Sequence, residues 1–299
     1  MVFGNGLVIY VLSTSPNLEG NQYKFIFSLS LIDLTLAVII TPVFVMLYVT
    51  QDETLRDAVC QFAGWFGYSL ALTSLMNLTL ISLDRYYACC HPLHYHQKLT
   101  PQRVKRLILA SWIFGYILAA PPLFGWGRYV YVPYELTCGL LYCRNVETMS
   151  YLSVASITCF LPCILTINIV YYNVIKVARN QRKKIQAVNN AVFHKRTHDV
   201  KKFQTAFTFG VVIGAYFSQW TPYVGARLYG FYFGDTAAVQ KAKLATLIIY
   251  GVCPVLNPII YSFSHGPFKK EVKKKLGLVA RNVDITPTSK GDTTIVVIG

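Results

Sequence analysis

Apolar runs with almost no charge alternate with short polar connections along most of the chain. Residues 26–49 (IFSLSLIDLTLAVIITPVFVMLYV) hold a single charge, Asp33, and the runs at 60–83, 107–126, 149–175, 203–226 and 244–264 hold none. Each reaches the roughly 20 residues that a helix needs to cross the hydrocarbon of a bilayer. A soluble protein can bury one such helix, but six predict a polytopic helical membrane protein. The opening MVFGNGLVIYVLS is a shorter apolar run, with no basic stretch ahead of it to make a signal peptide. It reads as the inner half of a first spanning helix whose outer half is missing. The expected fold is an all-α membrane protein, a seven-helix bundle over residues 1–265.

No linker rich in Pro, Gly or Ser divides the chain, and no fixed-period repeat appears. After the last run, GPFKKEVKKKLGL (266–278) spaces Phe268, Val272 and Leu276 one helical turn apart, with lysines on the other faces. That pattern predicts a short amphipathic helix lying on an anionic inner leaflet. Residues 279–299 lack periodicity and read as a disordered cytoplasmic tail.

Composition agrees: 54% of residues are hydrophobic and 14% charged, where soluble domains carry roughly 25% charge. The net charge of +15 is concentrated beside the spans. Lys98, Arg103, Lys105 and Arg106 follow the third span, and nine Lys and Arg between 176 and 202 follow the fifth. Lys269, Lys270, Lys273, Lys274 and Lys275 follow the seventh, whereas the connection after the second carries Asp52, Glu53 and Asp57 against Arg56. The positive-inside bias makes the third and fifth connections and the tail cytoplasmic, in a multi-pass protein of the plasma membrane. Basic runs placed this way argue for membrane lipids and against nucleic acid as partner.

Cys60 opens the third span on the outer side, and Cys138 and Cys143 lie in the outer connection. An oxidising exterior permits a bond between that helix top and that loop. Cys89, Cys90, Cys159, Cys163 and Cys253 read as small core residues.

Asp33 is the acidic residue deepest within a span, where a carboxylate marks a functional position. Its expected company is Asn5, Ser74 and Asn257, a polar cluster able to hold a small cation such as sodium. Arg85, after Asp84, ends the third span as a snorkelling side chain or as a restrained arginine facing the cavity between helix ends. Trp220 and Pro222 (QWTPY) predict a bend in the sixth span with a bulky indole beside it.

In order, GN in the first span, SLIDL, LDRYYACCHPLHY, Trp112, Pro162, WTPY and NPIIY form a set that resembles the rhodopsin-like (class A) G-protein-coupled receptors over residues 1–278. The resemblance implies a disulfide between Cys60 and Cys138, and a sodium site at Asp33, Ser74 and Asn257. It implies an arginine switch at Asp84, Arg85 and Tyr86, a G-protein contact at Pro92 and Leu93, and a toggle at Trp220. An inner activation motif would comprise Asn257, Pro258 and Tyr261. The implied partner is a heterotrimeric G protein, and no enzymatic reaction is implied. Departures are Lys202, where an acidic partner of the switch arginine often stands, and Tyr216 for a phenylalanine below the toggle. Tyr171 and Tyr172 lie further from Pro162 than the usual tyrosine. With Lys202 at that place, a weak inactive-state lock and raised basal signalling are expected.

PPLFGWGRYV and TCG in the second outer loop look like opsins. Opsins hold retinal as a Schiff base on a lysine six residues before the Asn of the NP motif, and that place is Gly251, which has no amine. Covalent retinal is therefore not expected. Gly67 stands where amine receptors carry an aspartate. The upper pocket is expected to be lined by Gly67, Tyr68, Ala71, Tyr223, Arg227, Leu247 and Gly251, with Arg227 either reaching solvent or binding the head group of a small, lipid-like acid. The alternatives are an opsin-like photoreceptor with noncovalent or no retinal, a receptor needing no ligand, and a transporter or channel. The last predicts several intramembrane charges or an inverted repeat, and neither is visible.

Overall fold

The computed structural model describes residues 1–50, 53–141, 145–187, 193–264 and 266–277. The first span is the helix Val2–Thr14. The second runs Asn21–Thr35, passes through a π turn at Leu36–Ile40 and continues as Thr41–Thr50. The fifth repeats this plan with Val146–Ala155, a π turn at Ser156–Phe160 and Leu161–Ala187. In both, a proline (Pro42 or Pro162) stands two residues beyond the π turn. A proline ring collides with the carbonyl four residues back and removes one backbone bond, and the wider turn before it makes room.

The third span, Glu53–Cys90, is the axis of the molecule and packs against the second, fourth, fifth and sixth spans. At 38 residues it is about 57 Å long. The fourth, Pro101–Ala119, starts with Pro101 at its first turn and Thr100 as cap, whose hydroxyl accepts from the Arg103 N–H at 3.3 Å. Gly115 allows this helix to close on the third: a methyl there would collide with Thr73 Oγ1 and lie 3.2 Å from the Ser69 carbonyl. The sixth span is Phe193–Phe233, with Pro222 inside an unbroken helix. The seventh, Ala237–Gly251 and Cys253–Ser264, is interrupted at Val252, two residues before Pro254.

Between the fourth and fifth spans the chain forms an antiparallel hairpin, β1 (Tyr129–Val132) and β2 (Thr137–Leu140), with Tyr131 opposite Cys138. This pairing adds a small sheet to the expected all-α architecture. Cys138, in β2, is bonded to Cys60 at the start of the third span, while Cys143 lies outside the described residues. Tyr129 is fully buried over Gly64, its hydroxyl donating to the Ala119 carbonyl at 2.8 Å. The hairpin end of the bundle is termed outer below, and the Arg85 end inner.

The short helix after the seventh span is Gly266–Lys275. Phe268 and Val272 are buried against the bundle, where the helix meets the first and seventh spans. Leu276, expected on the same face, falls beyond the last helical residue and is 48% exposed. Residues 279–299 lie outside the described residues.

Leu29, Ile32, Leu70, Leu75, Leu78 and Phe268 belong to the main core. Outward faces stay apolar: Phe62, Ile113, Ile117, Ile157, Ile169 and Ile248 are all exposed. Core and rim are thus both apolar, as a lipid surround requires. By length and composition five of the described helices suffice to cross a membrane: Asn21–Thr50, Leu55–Cys90, Pro101–Phe124, Val146–Val177 and Ala237–Ile260.

Candidate functional site

At the inner end of the third span Arg85 and Asp84 are both buried and paired with each other through Arg85 Nε and Nη2. The second oxygen of Asp84 accepts from the Tyr95 hydroxyl at 2.8 Å. Tyr95 stands on the single-turn helix Tyr95–Lys98 of the following connection. Burial first, then the charge and hydrogen bond of Asp84, push its phenol above the ordinary tyrosine range. Asn21, opening the second span, donates to the Leu99 carbonyl at 2.7 Å and ties the same connection down. Tyr86 contacts His91 through its hydroxyl at 3.1 Å, and Pro92 and Leu93 are exposed. The side chains of Lys202 and Tyr261 lie outside the described residues.

Midway along the bundle, the Asn257 amide donates to Asp33 Oδ2 at 2.9 Å, joining the seventh span to the second. Both side chains, with Ser74, line a cavity of about 30 Å³ whose wall also includes Tyr216 and Pro254. Asn5 is buried nearby but donates to the Pro254 carbonyl at 2.9 Å and to the Met1 carbonyl at 3.1 Å. Its amide bridges the first and seventh spans at the point where Pro254 distorts the helix, and it does not contact Asp33 by hydrogen bond. Pro258 is buried, and its ring lies 3.2 Å from the place of a Gly4 methyl, so the glycine lets the first span approach. The oxygen atoms around the small cavity, from the Asp33 carboxylate, the Ser74 and Tyr216 hydroxyls and the Asn257 amide, suit a hard cation completed by water.

Above this cavity Trp220 stacks on Tyr216, with centroids 6.1 Å apart, and meets Phe160 and Tyr250. Trp220 is half-buried with no hydrogen-bond partner for its indole N–H among the described residues, and Pro222 is exposed on the far face.

Next outward lies a cavity of about 160 Å³ floored by Trp220 and roofed by Thr137, Cys138, Gly139 and Leu140 of β2. Gly67, Tyr68, Ala71, Tyr223, Arg227 and Leu247 line it as the sequence suggested. Gly251 does not: it is exposed at the break in the seventh helix, and Tyr250 points into the cavity instead. Arg227 does not reach solvent either. It is buried, and its Nη2 lies 2.6 Å from Oε2 of Glu135, a residue of the hairpin turn that the sequence reading passed over. The legible signal was an acidic residue three positions before Cys138, on a loop that a disulfide ties to the third span. Tyr95 was missed likewise, since a tyrosine in a polar connection carries no periodic signal.

The chain belongs to the 7 transmembrane receptor (rhodopsin family), whose profile it matches over residues 4–261. It is a multi-pass membrane protein, and the family is one of receptors. It is 26% identical over 277 residues to the rhodopsin of Loligo forbesii, which covers 90% of this chain and 61% of that protein. Identity to the Gq-coupled rhodopsin of Mizuhopecten yessoensis is 23% over 285 residues, covering 92% of this chain and 56% of that protein. The chain therefore spans about three fifths of the length of these relatives. The crystal structure of squid rhodopsin shares the fold, with a TM-score of 0.81 at 24% identity over 93% of this chain and 81% of that one.

Proposed function

We propose that the chain is a receptor that passes a signal from the outer cavity to a heterotrimeric G protein by a swing of the sixth span about Pro222. One observation carries this reading: the outer cavity and the polar cavity share Leu36, Gly67, Ala71 and Tyr250 as wall residues. Trp220 and the Tyr216 stacked on it lie between them. A ligand that moves the indole thereby bears on Asp33 and Asn257 and, through the sixth span, on the surroundings of Arg85. Such a ligand acts only through its preference for one of two packings. Pro92 and Leu93, exposed beside the switch, suit a G-protein contact. The short final helix lies at the cytoplasmic face of the plasma membrane, with its lysines toward anionic lipid. Sodium at Asp33, Ser74 and the surrounding water is part of the same proposal.

The test is nucleotide exchange on a purified Gq heterotrimer by the full chain in lipid nanodiscs, without ligand. Gq is chosen because a similar rhodopsin is described as Gq-coupled. We expect exchange above that of empty discs, reduced at least about tenfold, or 1.4 kcal/mol, by Arg85→Ala. Silence without ligand removes only the expected basal activity, whereas exchange that Arg85→Ala leaves undiminished contradicts the reading.

The rhodopsin relatives favour a second reading, an opsin-like photoreceptor holding retinal without a covalent bond. Among the described residues lining the outer cavity no lysine occurs, and at about 160 Å³ it has room for a small ligand but lies below the roughly 300 Å³ at which pockets for drug-sized molecules begin. A visible absorbance band after incubation with 11-cis-retinal would favour the photoreceptor over the first reading.

A further inference from the structure

Arg227 is the one cation among the described residues lining the outer cavity, and the protein itself supplies its anion. Glu135 meets Arg227 Nη2 at 2.6 Å, with the two side chains 1% and 8% exposed. The Tyr223 hydroxyl donates to the same carboxylate oxygen at 3.1 Å, and the guanidinium lies 5.4 Å from the centre of the Tyr223 ring. Arg227 Nη1 donates to the Leu140 carbonyl at 3.3 Å, so both the turn and β2 hold this arginine. The hairpin passes close: a methyl on Gly139 would sit 3.1 Å from Nη2.

The turn is shaped to deliver the carboxylate. The Glu135 N–H bonds the Val132 carbonyl at 3.0 Å, and Leu136 adopts φ 53°. That left-handed conformation is costly for a branched side chain. Three residues after Glu135, Cys138 anchors the strand to Cys60. A carboxylate tethered this closely acts at a high effective concentration, against which a free acid must compete.

We propose that Glu135 is the outer pocket's own carboxylate ligand: it neutralises Arg227 through Nη2, so the pocket takes a small uncharged ligand and rejects free carboxylic acids. This rests on reading the outer cavity as the ligand pocket. It replaces the expectation that Arg227 receives the acidic head group of a ligand.

Chemical rescue tests it, with thermal unfolding of the full chain in nanodiscs as the readout. Glu135→Ala leaves Arg227 buried beside a vacated carboxylate site and is expected to lower the melting midpoint by about 5 °C or more. Millimolar propionate restores at least half of that loss, propanol restores none, and wild type is unmoved by either. Adding Arg227→Gln to Glu135→Ala abolishes the rescue. The proposal fails if Glu135→Ala melts with wild type, if propionate does not rescue it, or if propionate stabilises wild type equally. Should Glu135→Ala not fold, the reversed pair Glu135→Arg with Arg227→Glu is compared with Glu135→Arg alone. A reversed pair melting above the single variant supports the proposal, and one melting with or below it overturns it. Melting requires no G protein, so failure of nucleotide exchange leaves this result independent.

Discussion

Buried and half-buried polar residues decide most of what is particular to this chain. Tyr95 shows how: its hydroxyl closes the connection after the third span onto Asp84, and Asp84 in turn holds Arg85. Tyr95→Phe keeps the packing and removes the donor. We expect a loss of about 1–2 kcal/mol, read as a lower thermal midpoint. The pH dependence has a definite sign. A phenol raised above its unfolded value contributes stability that is fully present below the ordinary tyrosine pKa of about 10. It is lost only as pH climbs through the higher folded value, so the difference between wild type and Tyr95→Phe should stay flat from about pH 6 to 9. A difference that shrinks within this window would place the proton elsewhere. Of this inner cluster the sequence pointed to Asp84 and Arg85, because a charge at a span end is conspicuous. It did not point to Tyr95, whose role depends on a loop folding back.

Among the elements, the third span is the one the others are built around, and its neighbours approach only where small residues admit them. Gly115 brings the fourth span against Ser69 and Thr73. Gly115→Ala should cost about 1–3 kcal/mol through overpacking, whereas alanine at Gly214, where nothing lies within 4 Å of the added carbon, should be tolerated. Urea or thermal unfolding of the two variants side by side checks the contrast. The π turns before Pro42 and Pro162 were half legible. Each proline announces a local disturbance, but a run of apolar residues does not reveal whether the chain kinks or widens. The hairpin was not legible at all: YVYV and TCGL are each four residues long, too short for an alternating pattern to stand out.

Across the whole molecule, Asp33 and Asn257 link the second and seventh spans at mid-depth, between the outer cavity and Arg85. If sodium binds there, it stabilises the packing that holds it and opposes the alternative packing. Replacing choline chloride with sodium chloride at constant ionic strength should raise the thermal midpoint of wild type by about 1–3 °C. The isosteric Asp33→Asn should abolish that shift. Equal sodium shifts in both proteins would remove the cation from the proposal.

Membrane class, the number and order of spans and the placement of their prolines and intramembrane charges are all written in the amino-acid order. These follow from hydrocarbon thickness and the cost of bare backbone in lipid, both of which act on each segment separately. The family motifs were legible for the same reason, as fixed letters on already located helices. Which groups meet depends on how the folded chain packs. That packing turned Gly251 out of the pocket and brought Tyr250 in, because a helix break near Pro254 resets which face looks inward. It also gave Arg227 to Glu135 across 92 residues of chain. An arginine on a helix face looks the same in sequence whether it awaits a ligand or already holds a carboxylate. Only the path of the disulfide-tied hairpin over the bundle distinguishes the two.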